Sequence, residues 1–209
     1  MYSLPYFTEK DADKVIAFMK GNSFAIITGF GEQYPVSSHI PLEVVMDEEG
    51  KIVLSGHLMK NTDHHKAFVK NDQVLVIFNG PHCYVSASWY ANPQSASTWN
   101  YMTVHAKGKI TFTDDKGTYE AIKAVTNKYE GMATAAAFNA MSEAYVNQML
   151  KAIVGFTIEV SSIGNVFKLS QNKSSSEKQN IIEELKKRGD ENSVLIAEEM
   201  QKMAEANKI

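Results

Sequence analysis

The sequence predicts a mainly β chain with covering helices, an α+β fold whose sheet curls into a barrel. Three observations carry that reading. Between Ser23 and Phe112, six short β-branched or aromatic runs follow one another, punctuated by DEEG, NGP and ANPQSAS, which is the pattern of a mostly antiparallel sheet. From Asp114 to Leu150 the composition turns to Ala, Glu and Lys, as helices laid over a sheet require. AIVGFTIEVSSIGNVFKL then returns to strand character, and so late a strand is expected to close the sheet.

In chain order, Asp11 to Lys20 has helical spacing with Val15, Phe18 and Met19 on one side and Gly21 as its stop. The runs SFAIITGF, YPVSSHIPLEVV, KIVLSGH, QVLVIFNG, HCYVSAS and NYMTVHAKGKITF are the six strands. A short helix from Asp63 to Val69, capped by Asn61 or Thr62, separates the third from the fourth. The Ala-rich region holds two or three helices broken near EGMATAAAF. SQNKSSSEKQ reads as a polar loop, and two helices end the chain. One carries Ile181, Ile182 and Leu185 and stops at Gly189; the other is capped by Asp190 and carries Val194, Leu195, Met200 and Met203. Residues 1–170 are expected to form the sheet domain with its covering helices, and 171–209 a helical extension packed on the same unit.

Composition narrows the function. With 44% hydrophobic residues, the 209-residue chain can build a core by burial alone. No apolar run approaches the roughly 20 residues of a membrane helix, and MYSLPYFTEKDADK lacks the basic-then-apolar order of a signal peptide. We read the protein as cytoplasmic and without a membrane partner. Cys83, the single cysteine, allows no internal disulfide. The net charge of −3 exerts no pull toward nucleic acid, and of 21 basic residues only Arg188 is arginine. The six histidines show no metal-ligand spacing, so no metal site is expected, and no Gly-rich nucleotide loop or nucleophile elbow occurs.

Three stretches could carry chemistry. In SGHLMKNTDHHKAF a strand delivers Ser55, Gly56 and His57, Lys60 follows, and a helix begins just after Asn61. Free N–H groups at a helix start, beside a lysine, suit a phosphate; the same residues suit a plain strand-to-helix connection, and Asp63 already answers the helix dipole. In PVSSHIPLEVV, Ser38, His39 and Glu43 offer polar groups beside Pro41, which can give no ladder hydrogen bond. That side of the strand is therefore an edge, a bulge or a surface for a planar heterocycle. In SASWYANPQSASTWNY both tryptophans, with Tyr90 and Tyr101, bracket a small loop, fitting a dimer interface, a flat-ligand pocket or a core cluster.

Taken together, SHIPLEV, LSGHLMKN, VLVIFNGPHCYVSASWY, STWNYMTVHAKGKI and FKLSQNKS resemble the motifs of the PaiB-type FMN-binding negative transcriptional regulators over almost the whole chain. The resemblance implies an FMN-binding split barrel, related to pyridoxamine-phosphate oxidases, in which a homodimer holds flavin at its interface. It implies that Ser37, Ser38, His39 and Ile40 run along the flavin ring, that Ser55, Gly56 and His57 follow the ribityl chain, and that Lys60 and Asn61 meet the phosphate. Trp99, Asn100 and Tyr101 would complete the pocket from the second subunit. Relatives commonly carry arginine at the positions of Lys60 and Lys173, so here a bidentate grip becomes a point-charge contact.

The expected function is flavin-dependent redox activity or flavin sensing in a homodimer. The alternative is a negative regulator acting through DNA or protein contacts, with FMN structural or regulatory. Against DNA, residues 168–209 hold eight basic and eight acidic side chains, and Glu198 and Glu199 sit mid-way along the last helix. Haem handling, the third reading, has no distinctive ligand motif here.

Overall fold

A computed structural model describes residues 1 and 4–206. The chain divides into two compact units, a sheet unit of Met19–Phe78 and His105–Ile163 and a helical unit of Met1–Phe18, Asn79–Val104 and Gly164–Ile209. The first helix, α1, spans Ala12–Gly21, and its predicted apolar side is real: Val15 and Met19 are buried.

The sheet unit is built on seven strands: β1 Phe24–Gly29, β2 Val36–Pro41, β3 Glu43–Met46, β4 Ile52–Met59, β5 Gln73–Val85, β6 Thr98–Phe112 and β7 Ile153–Lys168. Their order is β2-β1-β5-β6-β7-β4-β3, and the pairs β1–β2, β1–β5, β3–β4 and β4–β7 are antiparallel. The two end strands of that order are neighbours in the chain, separated by Leu42 alone. Leu42 is buried, and its N–H donates to the Ser23 carbonyl at 2.9 Å. The sheet of this unit therefore curls until its ends meet at one residue. Pro41, which supplies no N–H, ends β2 at that corner.

Three strand expectations change. The second expected strand, YPVSSHIPLEVV, is two, β2 and β3, parted at Leu42 and lying at opposite ends of the sheet order. The fourth and fifth expected strands are one strand, β5, running on through Pro81. Proline's fixed φ is compatible with extended backbone and only its missing N–H is costly, so it marks the limit of a strand less firmly than that of a helix. The late strand β7 does not lie at an edge; it sits between β6 and β4, and the closure falls to β2 and β3.

Helix α2, Asp63–Lys70, follows β4, and its Phe68 ring packs so closely on β1 that a β-carbon at Gly29 would lie 2.6 Å from it. Helices α3, Asp115–Glu130, and α4, Glu143–Ala152, enclose a satellite core of Ile122, Phe138 and Val146.

In the helical unit, α5, Ser175–Arg188, opens on a capping box between Ser174 and Glu177 and closes at Gly189, whose φ is 76°. Helix α6, Glu191–Ala206, starts where Asp190 accepts from the Ser193 N–H at 3.0 Å. Its buried face is Ser193, Ile196, Ala197 and Met200, while Leu195 is exposed. The expected stripe through Val194 and Leu195 is thus one residue out of phase, because the cap fixes the helix start and the i, i+3, i+4, i+7 face follows from it.

Candidate functional site

In the sheet unit, backbone register decides how the SSHI residues are presented. Ser37 lies opposite Thr28 and His39 opposite Ile26, while Ser38 and Ile40 pair with buried Ile27 and Ala25. Because side chains alternate along a strand, Ser37 and His39 share the outer face and Ser38 and Ile40 the inner one. The four residues meet a common ligand only along the strand's edge. Two outer-face neighbours went unnoticed in the sequence: Thr28, whose Oγ1 is 2.8 Å from the Ser37 Oγ, and exposed Phe24, whose ring lies 6.0 Å from that of His39. The signal that could have found them is the alternation in SFAIITGF.

Strand β4 comes directly against the end of β2. A β-carbon at Gly56 would lie 3.2 Å from the Pro41 carbonyl and 3.1 Å from both Leu42 Cδ2 and Phe156 Cζ. That close approach packs the Pro41 end of β2 against β4 at a buried contact with Leu42 and Phe156. Ser55 and His57 are half-buried on the strand, opposite Thr157 and Gly155. Burial pushes the His57 pKa below its ordinary value, favouring the neutral imidazole.

At the β4–α2 junction Asn61 adopts the left-handed conformation, φ 64°, and Thr62 is the N-cap, accepting from the His65 N–H at 3.3 Å. The Asp63 carboxylate takes the His64 N–H at 2.7 Å. Lys60 donates from Nζ to the Leu150 carbonyl at 3.0 Å, and its N–H donates to the Ala152 carbonyl at 2.8 Å. The lysine thus closes the C-terminal end of α4, where a cation is favoured by the helix dipole.

In the helical unit, Trp99 and Tyr101 leave β6 on one side, Trp99 54% exposed, while Asn100 between them is fully buried. The Asn100 Nδ2 donates to Ser170 Oγ at 2.9 Å and lies 3.6 Å from Met200 Sδ. His82 and Tyr84, which sequence reasoning passed over, flank the Trp99 ring at 6.1 and 6.2 Å. Trp99, Tyr101 and His82 line a pocket of about 350 Å³ with Asn79, Gly80 and Met102. Lys173 rests its ammonium over the Tyr90 ring, 3.5 Å from the centroid.

Comparison with known proteins decides the family. Residues 1–162 match the family model described as "Putative FMN-binding domain". The chain belongs to this FMN-binding family. It is 31% identical over 202 residues to "Protease synthase and sporulation protein PAI 2" of Bacillus subtilis strain 168, covering 96% of this chain and 97% of that protein. An uncharacterized protein of Emericella nidulans, AN0679, is 29% identical over 71% of this chain and 75% of its own length. Among solved structures, the FAD and haem binding protein from Mycobacterium smegmatis superposes with a TM-score of 0.62 at 14% identity, over 83% of this chain and 78% of that one. The flavocytochrome Anf3 from Azotobacter vinelandii gives a TM-score of 0.58 at 12% identity, over 80% and 72%. The fold is the FMN-binding split barrel, and the protein is an FMN-binding flavoprotein of the PaiB type.

The residues present fit that cofactor. A flavin ring offers alternating donors and acceptors along one edge, and β2, a terminal strand of the sheet order, carries hydroxyls, an imidazole and backbone groups of the kind that would match such an edge. At the β4–α2 junction Lys60, whose Nζ donates to the Leu150 carbonyl, is the cation that would answer a phosphate there.

Proposed function

We propose that the protein is a cytoplasmic homodimer in which bound FMN serves a redox reaction with a small donor and acceptor. The observation that carries this reading is the close packing of Gly56 of β4 on the Pro41 carbonyl at the end of β2, which brings the ends of the two strands together. In this reading Ser37, Ser38, His39 and Ile40 of β2 run along the ring and Ser55, Gly56 and His57 of β4 along the ribityl chain, with the contact of Pro41 and Gly56 supporting their approach. FMN supplies the electron transfer when bound. The protein's part is to bind and orient: Ser37 and His39 hydrogen-bond the ring edge, and the buried Ile40 supports it from the inner side. His57, kept neutral by its surroundings, offers one donor and one acceptor to the ribityl hydroxyls.

Lys60 and Asn61 take the phosphate in this reading, Lys60 exchanging the Leu150 carbonyl for the anion. Trp99 and Tyr101 of a second copy cover the exposed side of the ring. The Asn100 side chain, committed to Ser170 and Met200, contributes by holding its two neighbours outward. The lack of any helix long and apolar enough to cross a membrane, among the described residues, is compatible with this placement. No observation favours direct DNA recognition: α6 carries Glu198 on its exposed side, and Glu199 pairs with Lys202 at 2.7 Å.

The test is the absorption spectrum of the purified protein reconstituted with FMN, followed by anaerobic addition of NADH and NADPH. Stoichiometric flavin with rapid bleaching is expected. Stoichiometric flavin that neither nucleotide nor dithionite-coupled mediators reduce would leave FMN a structural or sensing role and overturn the redox reading.

A further inference from the structure

The loop between β1 and β2 builds a cavity that none of the flavin residues lines. It measures about 590 Å³, inside the roughly 300–1,000 Å³ range of small-molecule sites. It is lined by Phe30, Tyr34 and Pro35 of the loop, Val74 and Leu75 of β5 and Lys107 of β6, with the Gln33 and Gln73 amides as neutral polar groups. The loop doubles back tightly: a β-carbon at Gly31 would lie 2.2 Å from the Tyr34 carbonyl oxygen. Only glycine permits that approach, and it holds two large rings beside the cavity with Phe30 66% and Tyr34 79% exposed.

Charge selects the occupant. Lys107 is exposed and forms no ion pair among the described residues. Of the two carboxylates nearby in the chain, Glu32 is paired with Lys70 at 2.6 Å, and Asp72 accepts from the amide of Gln73, itself a lining residue, at 2.9 Å. Aliphatic side chains, two aromatic rings and one ammonium without an ion pair complement a flat aromatic body bearing a single negative charge.

We propose that this cleft is a second binding site, taking planar aromatic carboxylates or sulfonates. It adjoins the flavin strand, since Thr28 lines the cleft and bonds Ser37, yet it needs no flavin to exist.

The probe is 2-naphthoate, titrated by calorimetry into the flavin-free and FMN-loaded protein, with 2-naphthalenemethanol as the neutral counterpart. One naphthoate per chain is expected in both forms. Lys107→Gln should weaken naphthoate roughly three- to tenfold and leave the alcohol unchanged, the range for one partly exposed charge contact, and Lys107→Arg should restore it. Tyr34→Ala should weaken both probes. Absence of saturable binding, or binding indifferent to Lys107→Gln, overturns the site. Displacement of naphthoate by FMN would also overturn it as a separate site while leaving flavin binding intact. Binding of naphthoate by a protein that takes up no FMN would support the cleft and count against the flavin assignment. If naphthoate fails to bind and Phe30→Ser lowers the mass seen by light scattering, the cleft is instead a contact between copies of the chain.

Discussion

Strand β2 and the start of β6 look alike in the sequence, each a short run of small polar groups among apolar ones, SSHI and TWNY. The protein uses them in opposite ways. On β2 the inner face carries Ser38 and the buried, apolar Ile40, and Ser37 and His39 are left on the outer face with no core to support. On β6 the inner-facing position is the polar one: Asn100 is fully buried between Ser170 and Met200, and the large apolar Trp99 stands outside. The first arrangement keeps hydrogen-bonding capacity on the outer face, where Ser37 shares one bond with Thr28. The second spends it inside the helical unit and presents aromatic area instead. A polar residue in a strand is thus evidence of a binding group only once its direction and its existing partners are known.

Substitutions on the two strands should separate these roles, and the largest effect is expected at Asn100. Asn100→Leu leaves the Ser170 hydroxyl buried without its partner and should lower unfolding free energy by about 2–3 kcal/mol in urea titration. The double variant Ser37→Ala, Ser38→Ala should cost less than about 0.5 kcal/mol of stability while weakening FMN. Equal stability losses for the two would break the contrast.

Gly56→Ala comes next. Its added methyl group meets Leu42, Phe156 and the Pro41 carbonyl within 3.2 Å, and such crowding costs about 1–3 kcal/mol. Because the clash forces β2 away from β4, FMN affinity should fall with stability. A variant that is destabilised but binds FMN as before would show that the two strands do not share the cofactor.

Lys60→Met sharpens the comparison at the phosphate end. Loss of the bond to the Leu150 carbonyl should cost the flavin-free protein about 0.5–1.5 kcal/mol, read as a lower melting temperature. FMN affinity should drop by about 1–3 kcal/mol if the lysine also meets the phosphate. A melting shift with unchanged FMN titration would make Lys60 a helix cap only.

The smallest effect concerns pH. Burial lowers the pKa of His57, His65 and His105 in the folded protein. Folding therefore favours their neutral forms, and no penalty exists above the ordinary value of 6.5. As pH falls below it the unfolded chain takes up protons first, and stability declines toward the lowered folded values. His57→Gln should flatten the fall of melting temperature between pH 7 and 5. An unchanged slope would mean that His57 contributes nothing to it.

Much of the fold was legible because it rests on local chemistry. The helix stops at Gly21 and Gly189, the cap at Asp190 and the break after Glu130 all follow from what single residues permit. The family, too, was legible in linear motifs. The run through Pro81, the phase of α6 and the direction of Asn100 were not, since each depends on a partner distant in the chain.

By itself the sequence determined that short strands and capped helices would form, and that hydroxyls, imidazoles, a lysine and aromatics would fall on particular ones, because propensity and alternation act over a few residues. Only the tertiary structure decided that Leu42 alone links the two end strands, that Lys60 reaches the Leu150 carbonyl ninety residues away, and that Asn100 rather than Trp99 enters the core. Those outcomes are set by which distant group satisfies a buried donor or fills a void, and no local pattern records that.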